Sequence, residues 1–159
     1  MGEMIRTGIL MGLGATALLD LWAVFLWAVA GFPTPNWAMV GRWFWHAGHG
    51  HVFHADIAQA SEITSERALG WIAHYAVGAV YGLAFVLIVG PDWLAAPSYL
   101  PALAFGLATV AAGWFLLQPG MGLGVAASKT PNPGTARALN LAGHTVFGTG
   151  LWAVALLVG

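Results

Sequence analysis

The sequence predicts an all-α membrane protein, four transmembrane helices in a 2+2 pseudo-repeat bundle with a short interfacial helix in the first long loop. Three observations carry that prediction. Of the 159 residues, 59% are hydrophobic and only 7% charged, whereas soluble domains carry roughly a quarter charged residues. Four apolar stretches, at about 8–30, 69–89, 100–117 and 138–158, approach the roughly 20 residues that cross a bilayer. The entries to the second and fourth stretches also share a spaced pattern, described below.

The first stretch follows Arg6, and Ala28-Val29-Ala30 looks like a small-residue cleavage site. The run is too long for a signal core, however, and Asp20 interrupts it, so it is read as the first span. The second holds His74 and the fourth His144, while Thr109 is the only hydroxyl of the third. Gly31-Phe32-Pro33, Gly90-Pro91 and Gln118-Pro119-Gly120 mark three span ends, as Gly and Pro do where helices stop. Small residues at four-residue spacing, Gly8/Gly12, Gly70/His74/Gly78/Gly82 and Ala104/Ala108/Ala112, let helix backbones approach closely. That stripe turns His74 toward a neighbouring helix.

Arg67-Ala68-Leu69, His74 and Gly78 recur as Arg137-Ala138-Leu139, His144 and Gly148 with the same spacing. Matched residue types at the same point of two spans predict a duplicated two-helix unit whose copies point the same way. Ala15-Thr16 and Ala108-Thr109 match more weakly. Alternating crossings place loops 31–68 and 118–137 on one face with Arg42, Arg67, Lys129 and Arg137, against Arg6 alone on the other. The positive-inside rule then makes both long loops cytoplasmic and both termini periplasmic.

Within the first loop, Thr34-Pro35 reads as a helix start. The aromatic run Trp37, Trp43, Phe44 and Trp45 around Arg42 suits a helix lying at the membrane surface. Next come His46, His49, His51 and His54, four histidines in nine residues, followed by Asp56. Imidazole suits zinc, copper, nickel and iron, but Gly48 and Gly50 give the segment the character of a loose metal-binding tract. The second loop, rich in Gly and poor in charge, is expected to fold back or re-enter the bundle.

Few groups in the spans can carry chemistry. Asp20 falls around 15 Å deep, His74 and His144 near 8 Å by helical rise. Ionisable groups at such depth are costly unless paired or wetted, so the three are expected to line one cavity that binds or moves a small polar ligand, a metal or a proton. Gln118, Lys129 and Asn132 would cap its mouth. Two histidines on facing helices also match an axial pair for haem. With no Cys, a metal or haem would rest on His, Asp, Glu or Met alone. No nucleophile–base pair or catalytic carboxylate motif stands out, so an enzyme is disfavoured. A net charge of -1 offers nothing to nucleic acid. Membrane lipid, a homo-oligomer or a larger complex, in which the chain serves as an accessory subunit, are the partners the composition suits.

Several strings resemble one bacterial membrane family of unknown function, DUF2938. They are Asp20-Leu21-Trp22, Val40-Gly41-Arg42-Trp43 leading to His46 and His54, and Glu66-Arg67-Ala68-Leu69-Gly70-Trp71-Ile72-Ala73-His74-Tyr75. Gln118-Pro119-Gly120-Met121-Gly122, Lys129-Thr130-Pro131-Asn132-Pro133 and His144-Thr145-Val146-Phe147-Gly148 continue the resemblance across the chain. His49 and His51 depart from that pattern, which leaves His46 and His54 as the better metal candidates. The resemblance implies a four-helix protein of the bacterial inner membrane and carries no activity with it.

Overall fold

A computed structural model describes residues 2–158, mostly helical and without strands among the described residues. Five helices carry the chain: α1 (Gly2–Ala30), α2 (Trp37–Gly48), α3 (Glu66–Ala95), α4 (Tyr99–Gly120) and α5 (Pro133–Val158). All but α2 are long and apolar enough to span a membrane. Helix is favoured there because a bilayer offers backbone groups no hydrogen-bond partners but their own.

The ends follow local chemistry. Gly31 takes a φ of 69°, and the N–H groups of Gly31 and Phe32 donate back to Trp27 and Leu26, closing α1 with a left-handed cap. Gly90, with φ 75° and ψ 179°, breaks α3 ahead of Pro91. The start of α2 differs from expectation. Its cap is Asn36, whose side chain accepts from the Met39 N–H at 3.3 Å, and not Thr34. Pro35 precedes the cap, outside the first turn where it was expected. Helix α5 starts ahead of the fourth apolar run, where Pro133 opens it at a position in which a missing N–H costs nothing.

The third apolar run also passes its expected end. Gly113–Leu117 forms a π-helical turn, with the Gln118 N–H donating to Gly113 five residues back, and helix continues through Gln118–Gly120. In a regular helix the Pro119 ring meets the carbonyl four residues before it. The wider turn immediately upstream relaxes that conflict.

The chain forms two compact units. One comprises the residues up to 34, 75–109 and 141 onward; the other comprises 35–74 and 110–140. The first is built on α1, the body of α3, the start of α4 and most of α5. Its core holds Met11, Ala15, Phe85, Val86, Ala102, Phe147, Leu151 and Ala155. Its helices cross at glycines. A Cβ at Gly78 would collide with Thr16, one at Gly12 with Gly78, and one at Gly106 with the backbone of Gly148. The second unit has a smaller core of Trp43, Ile57 and Met121, flanked by Val40, Phe44, Val52 and Leu117.

Candidate functional site

The two units hold polar side chains in different ways. In the first, Tyr75 Oη donates to Asp20 Oδ2 at 2.8 Å, tying α1 to α3. His144 Nδ1 lies 2.9 Å from Thr109 Oγ1 and 3.1 Å from the Gly106 carbonyl, while the Thr109 hydroxyl donates to that carbonyl at 2.6 Å. Because the carbonyl only accepts and the threonine proton is already committed to it, Nδ1 carries the imidazole proton. Nε2 therefore holds the lone pair of His144.

His74 belongs to the second unit, although Asp20 and His144 belong to the first. Its ring lies on Trp37, centroids 4.0 Å apart and 32° inclined, with Trp71 at 5.9 Å. The His74 ring thus lies on an indole face, and His144 Nδ1 on a threonine–carbonyl pair.

Arg42 organises the second unit, a role that its place in the charge count does not single out. It is 1% exposed. Its Nε and Nη2 donate to the two carboxylate oxygens of Glu66 at 2.8 and 3.0 Å. Nη1 donates to the carbonyls of Ile57, Ala58 and Ala60 at 3.4, 3.2 and 3.0 Å, and Glu62 adds an ion pair at 3.3 Å. The planar fork of arginine suits such a two-point grip. The Glu66 hydrogen bond outweighs the cost of burial and raises the guanidinium pKa above its ordinary value, so Arg42 stays charged. A buried charge needs this completeness. The signal was present in the two quoted strings that contain Arg42 and Glu66, but nothing in their spacing joins them.

The Pro-Gly-Met-Gly string has a structural reason. The His54 N–H donates to the Gly120 carbonyl at 2.9 Å and the Ile57 N–H to Met121 at 3.1 Å, clipping one loop to the other. A Cβ at Gly120 would strike the Trp43 indole, and one at Gly122 the Ala55 carbonyl. Only glycine allows that approach.

Gln118 joins a network that the sequence reading leaves incomplete. Trp114 Nε1 donates to Asn140 Oδ1 at 3.0 Å, and Gln118 Nε2 donates to the same oxygen at 2.7 Å. The indole, a donor only, fixes which end of the Asn140 amide accepts, and thereby which end of Gln118 donates. Asn140, an amide in an apolar run, could have been singled out by the rule that drew attention to Asp20. Lys129 and Asn132 are exposed. The Lys129 N–H closes its loop on Leu123, and the Asn132 carbonyl accepts from Ala136 in the first turn of α5.

The four loop histidines do not form one cluster. His49 folds back, its Nδ1 2.8 Å from the Trp45 carbonyl and its ring on the Trp45 indole, and His51 is exposed. His46 and His54 adjoin, centroids 5.1 Å apart. Among the described residues no three His, Asp or Glu side chains converge on one point.

The family model for DUF2938, described as protein of unknown function, matches residues 9–158. The chain belongs to the DUF2938 family. No curated protein and no solved structure matches it. This DUF2938 chain carries the glycines at its helix crossings and loop clip, and its Arg42–Glu66 pair, within the matched span.

Proposed function

We propose that this DUF2938 protein binds a small polar species within the membrane, the proton foremost, and passes it across, with Asp20 as the charge-bearing group. The observation that carries this reading is the hydrogen bond from Tyr75 to Asp20 between two apolar helices. A carboxyl group so far along α1 is retained at a cost, and one held by a phenol can take up or release a proton without losing its partner. His144, with Nδ1 fixed, offers Nε2 as a further proton acceptor.

The same reading sets the protein in the bacterial inner membrane with both long loops cytoplasmic, both termini periplasmic and α2 lying at the interface. It retains the 2+2 repeat, which is supported by the mates Gly78 and Gly148. Gly78, on α3, lies against Gly12 and Thr16 of α1, and Gly148, on α5, against Ala102 and Leu103 of α4.

The test is proton flux into liposomes holding the purified protein and a trapped pH-sensitive dye. Wild type should dissipate an imposed pH gradient faster than empty liposomes. Asp20→Asn, which still accepts from Tyr75, should fall to the empty-liposome rate while eluting as a folded protein. Flux by the variant equal to wild type, or none by wild type, overturns the proposal. An unfolded variant would instead assign Asp20 to packing.

A further inference from the structure

We infer that His46 and His54 form a two-nitrogen site for a borderline-soft transition-metal cation, apart from the groups within the spans. His46 is on α2, and His54 lies in the loop clipped to Gly120. Their rings meet edge to face at 81°, centroids 5.1 Å apart. Each is pinned through its other side. His46 Nε2 lies 3.0 Å from the Ser61 carbonyl, and His54 Nδ1 lies 3.1 Å from the Gly120 carbonyl. A carbonyl accepts only, so in the neutral rings those nitrogens carry the protons. The lone pairs are left on His46 Nδ1 and His54 Nε2.

That division is the one metal-binding histidines show, with the outer N–H donated to a backbone carbonyl that fixes tautomer and ring orientation. His54 Nε2 supplies the second observation. It is shut off from solvent and has no hydrogen-bond partner among the described residues. A buried acceptor without a donor is unfavourable, and a cation bonded about 2.0 Å from the nitrogen supplies the missing partner. Imidazole nitrogens favour zinc, copper and nickel over magnesium or calcium. The chain offers two ligands here, so water or a second molecule completes the coordination.

Titration of the full-length protein in detergent with Zn²⁺, followed by calorimetry, separates this pair from a loose histidine tract. One zinc per chain is expected, with affinity reduced at least about tenfold by His46→Ala and by His54→Asn singly. Asparagine at position 54 retains a donor for the Gly120 carbonyl and so protects the fold. The double variant His49→Ala/His51→Ala should bind within twofold of wild type. Nitrogen NMR gives a second reading, with the His54 Nε2 resonance moving on zinc addition. Binding of several zinc ions, equal loss in the His49/His51 variant, or an unmoved Nε2 resonance each overturns the site.

Discussion

The first unit is held by the absence of side chains and the second by the presence of one. Around Gly12, Gly78, Gly106 and Gly148, helices of the first unit approach until backbone meets backbone. Dispersion and a few hydrogen bonds do the rest, because lipid is as apolar as the helix faces and water expulsion drives little. The second unit has a small core, and segments of α2, α3 and the intervening loop converge on the Arg42 guanidinium. Packing at glycines is distributed over many contacts, whereas an arginine hub concentrates its effect in one residue.

That contrast predicts unequal fragility. Arg42→Leu should have the largest effect, since removing one partner of a buried ion pair strands the other at about 3–5 kcal/mol. It should sharply lower the yield of folded protein, and adding Glu66→Gln should restore part of the loss. Thermal unfolding of both variants in detergent checks this, and a single variant as stable as wild type would show that the hub is dispensable. Gly78→Ala and Gly148→Ala come next, each costing about 1–3 kcal/mol as a forced methyl pushes helices apart. Similar losses at the two positions would strengthen the repeat, and a loss at only one would weaken it. Thr109→Ala should be mildest, about 0.6 kcal/mol and not above about 1.7, the range for hydrogen bonds between membrane helices. Its sharper readout is His144, whose Nδ1 proton keeps the Gly106 carbonyl as acceptor, so the tautomer seen by nitrogen NMR should not change.

The same contrast accounts for what the sequence discloses. Apolar length reveals four helices, and Gly90-Pro91 marks a real break, because both depend on residues close together in the chain. Pro119 misleads, since its ordinary meaning is a stop and the π turn that accommodates it has no strong sequence mark. Asn36 displaces Thr34 as the cap of α2 because neighbouring residues compete for that position and only the chain path decides. Arg42 is hardest to read. Its partner Glu66 lies 24 residues away across an irregular loop, and a count of loop charges says nothing of which are buried. Asp20 and His144 stand out in the sequence as polar groups in apolar runs, and Asn140 is marked in the same way, while the partners Tyr75 and Thr109 emerge only when the helices are set side by side.

The π turn at Gly113–Leu117 has a consequence for the register of α4. It lets the helix take up one residue more than its length requires, so the stretch after it runs on at a rotation the regular pitch would not give. Returning that turn to regular pitch would rotate Gln118, Pro119 and Gly120 by about 100° about the axis. The Gly120 and Met121 carbonyls would then turn away from the His54 and Ile57 N–H groups that they now accept from. A single residue of helical slack thus sets whether the two long loops can be stitched together at all.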